Sequence, residues 1–260
     1  MTGFVGGGNM AEALIKGMVR EGGRDIIVSE PRPERRAHLE KAYGVRTTPD
    51  NREAVRASRV VVLAVKPQNM ADVVQEIGPE VGEEKTVVSI AAGVTLSWLQ
   101  ERLATRKLVR AMPNVAALGQ EGMTALSLCE CFSDGDMGAV RQMFMSVGRV
   151  VVLPEGQMDA VTALSGSGPA FVALFVGAMS EAGAALGLRR DDALALAVQT
   201  ARGTAKLLDE GLAPEKLVEM VRSPGGTTAE GLKVFEGRDL KGIVHEALEA
   251  AARRARELAR

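Results

Sequence analysis

The stretch Gly3–Ala13, which reads GFVGGGNMAEA, decides the fold class of this chain. A short apolar run is followed at once by three glycines and then by residues with helical spacing, which predicts a strand, a tight turn and a helix. Residues 6–11 form the pattern Gly-x-Gly-x-x-Ala, which is typical of the turn that binds the pyrophosphate of a dinucleotide. We therefore predict a dinucleotide-binding unit at this position.

Each small residue of this pattern has a predicted role. Gly6 forms the tight turn, Gly8 lets the backbone approach the pyrophosphate, and Ala11 lets the helix pack closely on the strand. The free N–H groups at the start of the helix then face the phosphates. The alternative is a glycine-rich turn that binds no ligand. The predicted cofactor contacts in this segment are Gly6, Gly7, Gly8, Asn9, Met10 and Ala11.

The two halves of the chain differ in their hydrophobic pattern. Up to about residue 153, continuous apolar runs alternate with helical segments, which indicates a doubly wound, mainly parallel sheet whose strands are buried on both faces. From residue 157 onward every segment has helical spacing. We predict a Rossmann-type domain over 1–153 and an all-helical domain over 154–260. The predicted strands are 3–6, 25–29, 59–65, 85–92, 107–113, 122–128 and 149–154, and the predicted helices of the second half are 167–187, 190–211, 213–223, 227–237 and 240–258.

Composition excludes several classes of function. The 260 residues carry a formal net charge of −1, which gives no electrostatic reason to bind nucleic acid or an anionic membrane. The opening residues lack the basic and apolar regions of a secretory signal. The most apolar window, 169–179, is too short to span a bilayer and predicts a buried core helix. Cys129 and Cys131 suit neither a disulfide nor a metal site, so we expect idle thiols in the cytoplasm and no metal.

The end of the second predicted strand bears on the choice of cofactor. Glu30 lies 24 residues after the first glycine of the motif, where an acid binds the ribose 2′-hydroxyl and favours NAD. An arginine at the same place can bind the 2′-phosphate of NADP, and Arg32, Arg35 and Arg36 all follow. These arginines could also form a solvated helix face. We predict Ser29, Glu30 and Arg32 as cofactor contacts, with both cofactors left open.

Two other segments leave predicted strands at the carboxyl edge of the sheet, where open α/β sheets bind ligands. The first is LAVKPQ (63–68), and the second is SIAAG (89–93), whose small side chains would let a nicotinamide ring lie close to the backbone.

Two helix starts in the second half are rich in hydrogen-bond donors. TALSGSGPAFV (162–172) alternates glycine and serine before Pro169, and SPGGTTAEG (223–231) runs directly into a helix. Each could bind an anion through backbone N–H groups and hydroxyls. The alternative for each is an ordinary helix cap.

Over essentially its whole length the chain resembles the pyrroline-5-carboxylate reductase family. The segments that carry this resemblance are GFVGGGNMAEA (3–13), LAVKPQ (63–68), RAMPN (110–114), TALSGSGPAF (162–171) and above all VRSPGGTTAEGL (221–232). The resemblance implies a Rossmann domain that binds NADPH or NADH, and an all-α domain that forms a homodimer, often assembled further into a ring of dimers. It also implies hydride transfer to the C=N carbon of 1-pyrroline-5-carboxylate, giving L-proline.

The resemblance also implies roles for individual residues. The backbone N–H groups of Gly226, Thr227 and Thr228 would bind the substrate carboxylate, and the Thr228 hydroxyl would lie near the ring nitrogen. Glu155 matches a position near the substrate amine, although it could be a solvated hinge acid. The implied substrate contacts are Glu155, Ser223, Gly225, Gly226, Thr227 and Thr228, with Thr228 catalytic, and the further cofactor contacts are Asn51, Ala64, Val65, Lys66, Pro67, Ala91, Ala92 and Gly93.

The chemistry of the residues agrees with an imine substrate. The two histidines, His38 and His245, lie in charged or packing positions of predicted helices, so neither is expected to be catalytic. A protonated imine is already an electrophile, so the protein mainly supplies positioning and electrostatics. We expect Thr228 to orient the iminium rather than to act as a strong acid.

Three other functions fit parts of the sequence. A β-hydroxyacid dehydrogenase would need a lysine in the helix after the SGSG segment, but no lysine occurs between Lys107 and Lys206. A coenzyme F420-type reductase would share part of the first domain but would not explain SPGGTT. A dinucleotide-sensing protein would bind the cofactor without turnover of any imine.

Overall fold

The structure is a computed structural model that describes residues 1–129, 132 and 134–258, without the side chains of 134–136. Cys131 lies outside the described residues. Contacts divide the chain into a first unit, Met1–Ser167 with Ala251–Arg260, and a second unit, Gly168–Ala250. The domain boundary at 153/154 was predicted from the change of pattern and stays a prediction, because these units are defined by contacts alone.

The first unit is built on one eight-stranded sheet with the strand order β3-β2-β1-β4-β5-β6-β7-β8. All neighbouring strands are parallel except β6 and β7. The strand order changes direction between β1 and β4, which makes a switch point where such sheets bind ligands. The strands are β1 (Thr2–Val5), β2 (Ile26–Ser29), β3 (Arg46–Thr48), β4 (Val60–Leu63), β5 (Thr86–Ser89), β6 (Leu108–Pro113), β7 (Gly122–Leu128) and β8 (Gly148–Val152).

Helices cover both faces of this sheet, which confirms the doubly wound fold. Successive residues of one strand enter opposite cores, because side chains alternate along a strand. Phe4 of β1 packs in one cluster with Leu14 and Phe144, whereas the next residue, Val5, packs in the other with Ile77. The helices of this part are α1 (Asn9–Arg20), α2 (Pro33–Tyr43), α3 (Asn51–Arg56), α4 (Met70–Ile77), α5 (Leu96–Gln100), α6 (Asp134–Met145) and α7 (Met158–Val161).

The second half of the chain is helical, as predicted. In the second unit α8 and α9 pack closely. A Cβ on Gly183 of α8 would lie only 3.3 Å from the Cβ of Ala193 on α9, so glycine permits this close approach. The rings of Phe175 and Phe235 lie 6.2 Å apart. The helices are α8 (Gly168–Ala185), α9 (Arg190–Asp209), α10 (Pro214–Val221), α11 (Thr227–Gly237) and α12 (Leu240–Leu258).

The burial expected for the apolar helix over 169–179 is not found within one chain. All of α8 is described, and none of its residues is buried; Leu174 is 74 % exposed and Val172 is 59 % exposed. The helical run Glu155–Ala185 contains an 18-residue window with a mean hydropathy of 1.5, so by length and composition it could cross a membrane. On α12, Ile243 and Val244 are also exposed, whereas Ala255 is buried.

The SGSG segment does not form a free helix start. Residues Thr162–Gly166 are a π-helix, and α8 follows at Gly168. The backbone N–H of Ser167 already donates to the carbonyl of Thr162 (2.9 Å). The prediction that a free helix start lies at this segment is therefore wrong. Such π-turns are frequent at functional sites.

Candidate functional site

The turn after β1 requires glycine at its first position. Gly6 has a φ of +100°, and a Cβ there would lie 2.9 Å from the carbonyl oxygen of Ala64. An L side chain would be strained in this backbone conformation and would also collide with the end of β4. Gly6 thus forms the predicted tight turn, and it brings the ends of β1 and β4 close together.

Gly7 is held from both sides of its peptide. Its backbone N–H donates to Glu30 Oε2 (3.2 Å), and its carbonyl accepts from Arg35 Nε (2.6 Å). A Cβ on Gly7 would lie 3.0 Å from Leu39 Cδ1. The sequence motif did not predict this clamp, because it depends on Glu30 and Arg35, which come from the following strand and helix.

The start of α1 has room for an anion. Gly8 is the N-cap in extended conformation, no side chain of the described residues caps this helix, and a Cβ at Gly8 would meet none of them within 4 Å. The first N–H groups of a helix have no intrahelical partner, so they point into this space. Asn9 is exposed, whereas Ala11 is buried against the core. A dinucleotide pyrophosphate fits this arrangement.

Glu30 is a buried carboxylate that is already hydrogen-bonded. Besides Gly7, the backbone N–H of Arg32 (3.1 Å) and its Nε (2.8 Å) both donate to Glu30 Oε1. Burial by itself would raise the pKa of Glu30, but the hydrogen bonds from Arg32 and Gly7 outweigh it and lower that pKa. Glu30 therefore holds the glycine turn, while the Arg32 side chain remains 59 % exposed beside it.

A second ionic network lies behind the turn, between α1 and α2. Glu12 binds Arg35 Nη2 (2.5 Å), His38 Nε2 (2.7 Å) and the Tyr43 hydroxyl, which donates over 2.8 Å. Burial opposes ionisation, yet these hydrogen bonds lower the pKa of Glu12 to about 2, and burial together with Glu12 raises the pKa of Tyr43 to about 12. The network fixes Arg35, which holds the Gly7 carbonyl. Sequence reasoning missed it, since its members share no motif.

The other predicted cofactor residues lie at the carboxyl ends of the neighbouring parallel strands. Ser29 ends β2, and its hydroxyl donates to Asn51 Oδ1 (2.5 Å) at the start of α3. Asn51 Nδ2 in turn donates to Glu76 (2.8 Å). Ala64, Val65, Lys66 and Pro67 follow β4, and Ala91, Ala92 and Gly93 follow β5. The sheet thus brings these predicted residues to one edge.

Glu155 lies in the first unit, where it joins α5 to β6. The backbone N–H of Leu96 donates to Glu155 Oε1 (2.7 Å), and Arg110 Nη1 lies 3.2 Å from the same oxygen. Arg110 is only 5 % exposed, and its Nη2 lies 3.7 Å from Asp159. Glu155 is therefore not a solvated hinge acid, because its carboxylate is bound to a buried arginine.

One face of β6 holds the helical segment that follows β8. Arg110 and Met112 alternate along the strand, so they share a face, and Asn114 follows the strand directly. Besides the contact of Arg110 with Glu155, Asn114 Nδ2 lies 3.3 Å from Ser165 Oγ, and a Cβ on Gly166 would lie 2.7 Å from Met112 Cε. The RAMPN segment (110–114) therefore supplies the residues that contact the helical segment after β8.

The SPGGTT loop of the second unit leads into α11 without a side-chain cap. Gly225 has a φ of +71°, the N–H of Gly226 donates to the carbonyl of Ser223 (3.0 Å), and Gly226 is the extended N-cap. In the described chain no side chain caps this helix, so the capping alternative is not realised here. The N–H of Gly226 is already bonded, which leaves those of Thr227 and Thr228 at the helix start.

Comparison with known proteins places this arrangement in a family. The family description "pyrroline-5-carboxylate reductase dimerisation" matches residues 155–258. The pyrroline-5-carboxylate reductase of Synechocystis is 42 % identical over 260 residues, which cover 98 % of this chain and 97 % of that protein. The chain belongs to the pyrroline-5-carboxylate reductase family. The family enzyme of Pisum sativum is 40 % identical, with 98 % and 95 % of the two chains covered.

Solved structures of the family agree with the fold. The pyrroline-5-carboxylate reductase of Coxiella burnetii superposes with a TM-score of 0.94 at 35 % identity, covering 100 % of this chain and 98 % of that one. The Plasmodium falciparum enzyme, solved with NADP bound, has a TM-score of 0.88 at 29 % identity with the same coverage. The family and the fold class predicted from the sequence are confirmed.

A second family description, "NADP oxidoreductase coenzyme F420-dependent", matches residues 1–93 only. It covers the glycine turn and the first five strands but ends before the SPGGTT loop, as the sequence argument against that class of reductase requires. The other description makes the second half of the chain a dimerisation domain.

Proposed function

We propose that this chain is an NAD(P)H-dependent pyrroline-5-carboxylate reductase, which reduces the C=N bond of 1-pyrroline-5-carboxylate to give L-proline. One observation carries the proposal: a family member with a dinucleotide-type turn also has an uncapped, glycine-turned helix start at SPGGTT. Such a helix start suits the carboxylate of a small substrate. The enzyme would catalyse the last step of proline biosynthesis.

In this proposal the first unit holds the cofactor. The turn Gly6–Ala11 binds the pyrophosphate, with Gly8 supplying the space over the start of α1. Ser29, Glu30, Arg32 and Asn51 surround the adenosine ribose, and the segments 64–67 and 91–93 line the nicotinamide side. When bound, the reduced nicotinamide supplies the hydride. Glu30 accepts hydrogen bonds from Gly7 and Arg32, so it stabilises the glycine turn with either NADPH or NADH.

The loop of the second unit is proposed to bind the substrate. The N–H groups of Thr227 and Thr228 would hold the carboxylate, and Gly225 and Gly226 give the loop its turn without bulk. The Thr228 hydroxyl would orient the iminium nitrogen, with its side chain half-buried at the start of α11. Ser223 closes the loop through its carbonyl, which accepts from Gly226.

The histidines support a mechanism without a general base. His38 binds Glu12 between α1 and α2, and His245 pairs with Glu249 (3.3 Å) on α12. Neither belongs to a glycine turn. A protonated imine needs no base to accept a hydroxyl proton, so positioning and hydrogen-bond donors suffice.

The dimerisation domain is proposed to form a homodimer through the apolar surface of α8. Val172, Leu174 and Phe175 are exposed in one chain, and a patch of this kind marks a subunit interface or a membrane contact. We favour burial against a second copy in the cytoplasm, with no membrane or nucleic-acid partner. Sedimentation or light scattering separates a monomer, a dimer and a ring of dimers.

The direct test follows the absorbance of NADPH, and separately of NADH, in the presence of 1-pyrroline-5-carboxylate. Turnover with formation of proline is the expected result. Protein that binds NADPH but turns over no imine would instead be a dinucleotide sensor or a reductase of a different imine.

A further inference from the structure

Arg110 and Glu155 connect a cofactor loop to the sheet. Ser89, the last residue of β5, is paired in register with Arg110 of β6. After Ser89 the chain passes through the predicted nicotinamide segment 91–93 and reaches Leu96, where α5 begins. There Glu155 Oε1 accepts the Leu96 N–H (2.7 Å) and binds Arg110 Nη1 (3.2 Å). The loop therefore leaves β5 beside Arg110 and is bound to it again through Glu155.

The near end of this loop is also held. The N–H of Ile90 donates to the carbonyl of Leu63 (3.2 Å), and the N–H of Ala91 donates to Ser89 Oγ (3.4 Å). Gly93 turns the chain with a φ of +77°. Hydrogen bonds at both ends leave the small residues between them in one defined position.

Burial makes the arginine depend on its acids. The Arg110 side chain is 6 % exposed, whereas those of Glu155 and Asp159 are 30 % and 26 % exposed. A guanidinium removed from water requires charged partners, and a charge-assisted hydrogen bond is among the stronger contacts a loop can have. Removing the charge of Arg110 or of Glu155 would therefore loosen the end of the loop at Leu96.

We propose that Arg110 and Glu155 are positioning residues that set the 90–96 loop for the nicotinamide end of the dinucleotide, and that Glu155 does not contact the imine. This inference rests on the proposed function. It differs from the role expected from the resemblance, in which Glu155 lies near the substrate amine.

The test uses the full-length protein with Arg110→Met, Arg110→Lys and Glu155→Gln. Arg102→Met is the matched control, since Arg102 donates to the carbonyl of Trp98 (2.9 Å), which lies in the same helix α5 as Leu96. The dissociation constant of NADPH is measured from its fluorescence, and KM is measured for NADPH and for 1-pyrroline-5-carboxylate. We expect Arg110→Met to weaken NADPH binding by about tenfold or more, because misplaced contacts are costly, with imine KM nearly unchanged. Arg110→Lys should bind NADPH more tightly than Arg110→Met but less tightly than the wild type. Glu155→Gln should weaken NADPH binding less than Arg110→Met does. The control Arg102→Met should bind NADPH as the wild type does.

Two results would overturn the inference. A higher imine KM with unchanged NADPH binding would place Glu155 at the substrate. Unchanged constants in all three variants would leave the pair without a positioning role. If Arg110→Met does not fold, Glu155→Gln, which keeps the shape of the side chain, decides. If the wild type binds NADPH without reducing the imine, the proposed substrate is wrong, yet the dissociation constants still decide the role of the pair.

Discussion

The glycine turns before α1 and α11 share one local design but differ in their support. Each has a glycine with positive φ, at Gly6 and Gly225, followed by an extended glycine N-cap, at Gly8 and Gly226, without a side-chain cap in the described chain. Around the first turn, Glu30 and other side chains contact the backbone. Around Gly225, a Cβ would meet no described residue within 4 Å.

The two turns obtain their shape in different ways. The first is preorganised by its own unit, because a buried carboxylate and an arginine hold the Gly7 peptide before any ligand binds. The second depends on its backbone conformation and one internal hydrogen bond from Gly226 to Ser223. Substitution of Gly6 should therefore be more damaging than substitution of Gly225, whose would-be Cβ meets no described residue within 4 Å.

The largest expected effect is that of Gly6→Ala compared with Gly225→Ala. At Gly6 the new Cβ is strained and collides with the Ala64 carbonyl, so we expect a loss of about 3 kcal/mol in the free energy of unfolding and loss of measurable NADPH binding. At Gly225 only the strain applies, about 1 kcal/mol. Urea unfolding of both variants checks the comparison, and equal losses would contradict it.

The next effect is on turnover through the second turn. Thr228→Val removes the hydroxyl proposed to orient the iminium, and we expect kcat/KM to fall about 100-fold with NADPH binding unchanged, since a hydrogen bond to a charged group is lost. Thr204→Val on the exposed side of α9 is the matched control. Full turnover in Thr228→Val would refute the role of that hydroxyl.

A smaller effect is expected at Glu30. The carboxylate of Glu30 accepts from the Gly7 N–H and binds Arg32. Glu30→Gln should therefore weaken the binding of NADPH and of NADH by about tenfold each, so that the ratio of the two dissociation constants stays nearly constant. Fluorescence titration with each cofactor measures the ratio. If the variant instead favours NADPH strongly, Glu30 reads the ribose 2′-position directly.

The last effect concerns the pH dependence of stability. The pKa of Glu12 is about 2 in the folded chain against an ordinary 4.5, so the unfolded state takes up this proton first as the pH falls. The stabilisation is complete above about pH 4.5 and is lost progressively toward pH 2. Glu12→Gln should therefore show a flatter fall of unfolding free energy over this range. Parallel curves for the two proteins would mean that Glu12 has no such linkage.

Much of the fold could be predicted because its signals are local. Seven strands are continuous apolar runs and the helices have the spacing of buried faces, so pattern alone locates them. The edge strand β3 was missed, since its three residues Arg46–Thr48 are polar. The antiparallel pairing of β6 with β7 was not predicted either, because strand direction leaves no mark on a continuous apolar run.

The candidate site could be predicted only in part. Motif spacing located the glycine turns, and the order of parallel strands explains why the segments after β4 and β5 share an edge. The partners of Glu30 and Glu155 were not predicted, and neither was the Glu12 network. The exposure of α8 was also missed, because an apolar helix has the same pattern whether it is buried within one chain or against another.

The alternation of strands and helices, the two glycine turns and the family could all be predicted from local sequence. These depend on residues adjacent in the chain, whose backbone preferences and apolar spacing act locally. The hydrogen bonds of Glu30 and Arg35 to Gly7, and that of Arg110 to Glu155, depend instead on how the chain folds in three dimensions. Those pairs are 23, 28 and 45 residues apart, and a buried charge takes whichever partner the fold places within hydrogen-bond distance.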